Sequence, residues 1–190
     1  MEKDHVPSLF HGNLVRLAAV DSGEIPVFLK WAENPDYMRQ LDTDYVRPQQ
    51  VQDIQQMFSP DPAGRSVLFF IRTLSEDRLI GFIALHSIEW NNQSGECSIG
   101  IGEIDYQGKG YGSDALILLL RYAFEELNLY RVSLTVIANN VRAIKAYQKV
   151  GFREEGRLRQ AVHRDGVRTD LIWMGILQPE WQAQYRINEG

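Results

Sequence analysis

The chain lacks most of what marks a secreted, membrane-spanning or metal-holding protein. Cys97 is its one cysteine in 190 residues, so no disulfide can close within it and a reducing compartment suits it. Its four histidines form no cluster with cysteine or acidic residues at metal-ligand spacing, so no metal is expected. No apolar run is long enough to span a bilayer, and no secretory leader is recognisable. Positive charge is in deficit, with 20 Lys+Arg against 25 Asp+Glu for a net charge of −5, which argues against a nucleic-acid partner. Repeats and low-complexity tracts are absent. The remaining composition, 44% hydrophobic and 24% charged, is that of a globule with one full core. It predicts a single domain over 1–190, with 1–12 as a loose leader and 178–190 as a tail, in the cytoplasm.

The charge deficit is uneven. Residues 1–98 hold 8 Lys+Arg and 14 Asp+Glu, a net of −6, whereas residues 99–190 hold 12 and 11, a net of +1. A solvated surface explains this. So does a first half that receives a cationic partner, with Glu33, Asp36 and Glu89 as the contacts expected on that side.

Glycine is concentrated in one stretch, Ile99-Gly-Ile-Gly-Glu-Ile-Asp-Tyr-Gln-Gly-Lys-Gly-Tyr-Gly112. After it, Leu116, Leu119, Leu120, Ala123, Phe124 and Leu127 recur at helical spacing within 115–129. The order is strand, glycine-rich loop, helix. Such a loop leaves the first N–H groups of the helix pointing at the positive end of its dipole, which is a site for a phosphate anion. It is not a P-loop, because Gly110-Tyr111 follows Lys109 where Ser or Thr is needed. Nor is it the dinucleotide fingerprint, because Ser113 stands at the sixth position counted from Gly108.

Around this stretch the sequence predicts a strand at 13–18 and a helix opened by Asp21 and Glu24 at capping-box spacing, ending at Asn34-Pro35. A second helix opens at Pro48 and carries Val51, Ile54 and Phe58 on one side. Strands at 66–73, 79–90 and 96–104 form an antiparallel meander. The strand at 131–138 is reached through a helix and is expected to run parallel to its predecessor. Asn140 caps a short helix at 141–149, where Asn140, Ala143 and Tyr147 share a face and Gly151 ends it. A hairpin turning at Asp165-Gly166 follows, and Trp181 and Tyr185 pack a tail helix.

Two blocks carry a resemblance. Gln107-Gly-Lys-Gly-Tyr-Gly112 resembles the Q/R-x-x-G-x-G/A pyrophosphate loop of the GNAT acetyltransferase superfamily. Asn140-Val-Arg-Ala-Ile-Lys-Ala-Tyr-Gln-Lys-Val-Gly-Phe152 resembles the N-x-x-A-x-x-x-Y-x-K-x-G-F block of the same family, in the family's order. Within the family, Phe124–Arg131 and the hairpin are most similar to the bacterial spermidine and ribosomal-protein alanine acetyltransferases. The resemblance implies an α/β fold of the α+β kind, with a central mixed, mostly antiparallel sheet that splays at the acetyl-CoA site and is flanked by helices.

It also implies a cofactor, acetyl-CoA, with its pantetheine arm against Ile99, Gly100, Ile101 and Gly102. There the two glycines clear the approach or mark a bulge. Gln107, Gly108, Lys109, Gly110, Tyr111 and Gly112 form the diphosphate loop, in which Lys109 either adds charge or is simply solvated. Asn140, Ala143, Tyr147 and Lys149 complete the cofactor side. Tyr147 stands at the family's proton-donor position, since a phenol near pKa 10 suits a departing thiolate near 8.5. Glu96 is read as the amine base or as a solvated strand-end carboxylate, and Cys97 as a buried structural residue. The expected activity is acetyl transfer from acetyl-CoA to a primary amine (polyamine, protein N-terminus or small molecule) by direct attack. The alternative class is a non-catalytic acyl-CoA-binding sensor. A homodimer is compatible with either.

Overall fold

The computed structural model describes residues 9–185. Among the described residues seven strands form one sheet in the order β1-β2-β3-β4-β5-β7-β6. They are β1 (Val15–Ala18), β2 (Val67–Thr73), β3 (Leu79–Glu89), β4 (Ser94–Ile101), β5 (Arg131–Ile137), β6 (Arg153–Arg164) and β7 (Val167–Leu177). Every neighbouring pair is antiparallel except β4 with β5. The mixed, mostly antiparallel sheet expected from the sequence is therefore present, and the strand reached through a helix is the parallel one.

Alternation along the strands sorts side chains to two faces. On one face Ile83, Leu85, Cys97, Leu134 and Val136 join Leu116, Leu119 and Leu120 of α4 (Tyr111–Arg121) and Tyr147 and Val150 of α5 (Val141–Val150) in the larger core. On the other, α1 (Ile25–Ala32) and α3 (Val51–Met57) lie over Phe70, Leu79 and Phe82. Phe28 is the hub there, with ring centroids 4.4 Å from Phe58, 4.7 Å from Trp31 and 4.8 Å from Phe70. The apolar periodicity of 115–129 continues past α4 as a single π turn, Tyr122–Glu126, and Ala123 and Phe124 remain buried.

Three local expectations are corrected. Asn34-Pro35 does not merely stop α1: the Asn34 side chain accepts from the N–H of Asp36 and Tyr37 and starts a further helix, α2 (Pro35–Leu41). Glu24 does not close a capping box with Asp21; it pairs with Arg72. The leader is not loose through residue 12. Leu17 N–H donates to Phe10 O, Phe10 packs on Phe69 and Tyr122, and Gly12 lies against Asp114. Residues 1–8 of the expected leader, and 186–190 of the expected tail, lie outside the described residues. Trp181 and Tyr185 pack α6 (Gln178–Tyr185), as expected.

Asp114 joins these parts. It stands in the first turn of α4, where a negative charge suits the helix dipole, and accepts from three consecutive N–H groups entering β1: Asn13 at 3.1 Å, Leu14 at 2.7 Å and Val15 at 3.0 Å. The helix that follows the glycine loop is thereby locked to the first strand.

A cleft where the sheet divides

β4 and β5 are paired only at Ser94–Arg131, Gly95–Val132 and Glu96–Ser133. Beyond that point each strand continues in a different ladder. Cys97–Ile101 stay with β3, while Leu134–Ile137 stay with β7. A wedge opens between them, and it leads into a cleft of about 770 Å³. Along this edge the backbone groups of β4 face no partner strand, so they are available to an extended ligand that adds as a strand would.

The glycine loop closes one end of the cleft. Gly108 and Gly110 take φ of 72° and 96°, conformations that a side chain would strain, and Gly110 is the N-cap of α4. Gly108, Gly110, Gly112 and Ser113 line the cleft. Gln107 lines it too, with its amide committed elsewhere: Nε2 donates to Ile101 O at 2.7 Å, and Oε1 accepts from Arg142 at 2.7 Å. Lys109 and Tyr111 are outside the lining. Lys109 is exposed, and Tyr111 packs edge-on against Tyr106 at 5.1 Å.

α5 forms one wall. Asn140 caps it by accepting from Ala143 N–H at 3.2 Å, and Asn140, Ala143, Tyr147 and Lys149 all line the cleft. Tyr147 is buried with its ring 5.9 Å from Phe152. Burial pushes its phenol above the usual range, and the adjacent Cys97 sulfur adds to this. The group is therefore protonated at neutral pH. Burial also pushes the Cys97 thiol up to about 12, with help from the Glu96 carboxylate. The sequence reading missed two cations on this wall, Arg142 and Lys145. Their signal was the spacing of Arg142, Lys145 and Lys149, which repeats the 0, +3, +7 of Asn140, Ala143 and Tyr147. Arg142 also reaches Gln40 at 3.1 Å and so bridges α5 to α2 across the mouth.

The opposite wall is α2 and the turn after it. Tyr37, Gln40, Leu41, Asp42 and Thr43 line the cleft with His86, Glu96 and Ser98. The tip of the β6–β7 hairpin clamps this wall. Arg39 and Asp165 form a bidentate pair with both bonds at 3.1 Å, and Arg164 donates to the carbonyls of Thr43 and Asp44 at 2.7 and 2.6 Å.

One reading of β4 is corrected here. Gly100 and Gly102 do not serve chiefly to clear the cofactor's approach. A Cβ on Gly100 would stand 2.4 Å from the Tyr37 hydroxyl, and one on Gly102 would stand 2.0 Å from the Trp31 ring. These glycines admit α2 and α1 to the sheet. Gly100, Ile99 and Ile101 line the cleft, and Gly102 is outside its lining. The alternative reading, a bulge, holds at Gly102: its N–H and that of Glu103 both donate to Ile80 O, at 2.9 and 3.3 Å. Before that point the ladder runs unbroken from Glu96 to Ile101, and a further irregularity is in β3 between His86 and Glu89.

The expected acceptor contacts are also displaced. Glu33, Asp36 and Glu89 are exposed and outside the cleft lining. α2 turns Asp36 outward while presenting Tyr37 and Leu41 inward, and Glu89 accepts from Asn92 at 2.7 Å. The carboxylates that do line the cleft are Glu96 and Asp42. Since Gly100 and Gly102 face α2 and α1, alternation puts Glu96 and Ser98 on that same face, opposite Cys97 and Tyr147. A reacting group in the wedge therefore has a carboxylate on one side and a phenol on the other. Among the described residues no group of His, Cys, Asp and Glu could hold a metal, and no helix is long and apolar enough to cross a membrane.

Comparison with known proteins agrees with this geometry. The family description "Acetyltransferase (GNAT) domain" matches residues 15–153. The "Putative ribosomal N-acetyltransferase YdaF" of Bacillus subtilis is 32% identical over 111 residues, 58% of this chain and 60% of that protein. Spermidine N(1)-acetyltransferase of Vibrio cholerae is 33% identical over 112 residues, 59% of this chain and 64% of that protein. The chain thus matches less than two thirds of the length of these relatives. Among solved structures, spermidine N-acetyltransferase from Vibrio cholerae in complex with CoA and spermine superposes with a TM-score of 0.79 at 25% identity, covering 88% of this chain and 97% of that one.

Proposed function

Because this chain belongs to the GNAT acetyltransferase family, we propose that it moves the acetyl group of acetyl-CoA onto a cationic primary amine of the polyamine class. The observation that carries this reading is the wedge between β4 and β5, with Glu96 on one face of the sheet and Tyr147 on the other. Acetyl-CoA supplies an activated thioester. The unpaired edge of Cys97–Ile101 holds its pantetheine arm extended, and the backbone of Gly108–Gly112 at the start of α4 receives its diphosphate. Lys145 and Lys149 add positive charge along the α5 wall.

In the reaction the attacking nitrogen enters as the neutral amine of an otherwise cationic polyamine; its lone pair forms the new C–N bond at the thioester carbonyl carbon, and the C–S bond breaks. Glu96 receives the proton that the nitrogen must lose. Tyr147 gives its hydroxyl proton to the departing sulfur and is restored from solvent. Holding both partners in one wedge converts an encounter of two molecules into a reaction within one complex. Glu96 and Asp42 favour a cation at the acceptor end, and the Vibrio cholerae enzyme matched above in both sequence and structure is named for spermidine.

The test is thiol release from acetyl-CoA with spermidine, aminoglycosides, amino acids and N-terminal peptides as acceptors. A polyamine as the best acceptor is the expected result. An anionic best acceptor would refute the acceptor assignment. CoA binding with no turnover on any amine would replace the enzyme with an acyl-CoA sensor.

A further inference from the structure

His86 has no role in the reaction above, yet it lines the cleft at the acceptor end. It is the cross-strand partner of Glu96 in the β3–β4 ladder. Paired residues share a face: Phe82 opposes Gly100 under α2, and Leu85 opposes Cys97 in the other core. His86 and Glu96 therefore project from the same acceptor-side face, with Cβ atoms about 4.5–5.5 Å apart as such pairs have. The irregularity of β3 begins at this residue, and Ser87 takes φ of 52°. Its hydroxyl stands 3.3 Å from His86 Nδ1 and is exposed.

We propose that His86 is a proton-relay residue that clears Glu96 after each acetyl transfer, an inference that rests on the acetyltransferase reading. A carboxyl group is a weaker base than an imidazole, so a proton delivered to Glu96 moves favourably to a neighbouring imidazole. The bookkeeping is simple. The proton leaves the acceptor nitrogen for the Glu96 carboxylate, then passes through one bridging water to His86 Nε2, the basic nitrogen in the tautomer that donates Nδ1–H to Ser87 Oγ. The imidazolium gives its Nδ1 proton to water on the exposed Ser87 side, and exchange of the remaining ring proton with water returns it from Nε2 to Nδ1, restoring the starting tautomer. Glu96 is again ionised and His86 neutral, with no other reactant consumed. Of the other groups near this pair, Asp42 follows α2 on the facing wall, and Glu155 of β6 is held by Arg131. Glu89 lies beyond the β3 irregularity and is held by Asn92. Tyr37 and Cys97 are kept neutral by burial.

Two measurements test this. In the first, His86→Ala lowers kcat at saturating acceptor by about 10- to 100-fold, leaves acetyl-CoA affinity unchanged, and recovers rate in added imidazole. Glu96→Gln is equally impaired, and imidazole does not restore it. Wild-type kcat in His86→Ala, or a loss in the folded variant that imidazole leaves untouched, overturns the relay. The second needs no turnover. The His86 imidazole is followed by NMR against pH, with its signal assigned by its disappearance in His86→Ala. In Glu96→Gln the midpoint should fall, because the carboxylate that favours the imidazolium is gone. An unmoved midpoint refutes the pairing. Absence of wild-type turnover with every amine, alongside a shifted midpoint, would instead refute the acetyltransferase reading and leave the pair intact.

Discussion

Replacing Asp114 by asparagine exchanges one carboxylate oxygen for an NH2 with hardly any change of shape, and should still cost much of the protein's stability. Oδ2 accepts from Leu14 and Val15 and Oδ1 from Asn13. A hydrogen bond to a charged group contributes about 1.5–3 kcal/mol, against about 1 for a neutral one. Asparagine can direct its one oxygen at Leu14 and Val15, which weakens each bond by about 1 kcal/mol. Its NH2 then faces the Asn13 N–H, donor against donor, and loses about 2 kcal/mol more. The total is about 4 kcal/mol. For a chain of this size each kcal/mol moves Tm by about 2–4 °C, so the expected drop is about 8–16 °C. Scanning calorimetry or thermal circular dichroism measures it, with the exposed Asp105→Asn as a control that should change little. Reorientation cannot rescue Asp114→Asn, because three donors on two atoms cannot all be met by a single carbonyl oxygen and its NH2. An Asp114→Asn variant melting within about 3 °C of the parent would show that the three bonds do not hold β1 to α4 as argued.

Tyr147→Phe keeps the packing on Phe152 and removes the hydroxyl, so kcat should fall by about 10²–10⁴-fold with acetyl-CoA affinity nearly intact; wild-type kcat where chemistry limits the rate would return Tyr147 to a packing role. A Cβ at Gly110 would meet only Leu14, at 3.5 Å, but Gly110→Val forces a β-branched residue toward φ of 96°. A free loop that relaxes out of this strain of about 1–3 kcal/mol must re-enter it to bind, which should weaken CoA binding by about 10- to 100-fold in a folded protein, and calorimetric titration giving the parent Kd would contradict the loop assignment. Gly102→Ala drives a methyl into the Trp31 ring and should destabilise by about 1–3 kcal/mol, read by urea unfolding. Cys97, with its thiol pushed up to about 12, should resist thiol reagents at pH 8 in the native protein and react once unfolded, since only the thiolate attacks; fast native labelling would mean that it is not buried as described.

Local chemistry made much of this protein legible from its residues. A φ of 72–114° is occupied cheaply only by glycine, so Gly108, Gly110 and Gly151 announced the loop, the start of α4 and the end of α5. An Asn side chain satisfies N–H groups two or three residues ahead, so Asn140 announced α5. Period-two and period-3.6 apolar patterns report which face is buried, so the strands and the long helix were placed to within a few residues. All of these depend on interactions within a few positions of one another.

What stayed hidden depends on residues far apart in the chain. α2 was missed because Asn34-Pro35 reads equally as a stop and as a cap, and only the packing of Tyr37 and Leu41 against β4 selects the second. The purpose of Gly100 and Gly102 was misread because the side chains that fill the space above them, Tyr37 and Trp31, come from more than sixty positions earlier. Charge counts put the acceptor's carboxylates in the first half of the chain, yet Glu33, Asp36 and Glu89 face away from the cleft. A count has no direction, and only the fold of α2 and the alternation of β4 turn Asp42 and Glu96 inward. The pairing of His86 with Glu96 is likewise a matter of register, which the β3–β4 ladder sets across a turn and an irregularity that no local pattern specifies.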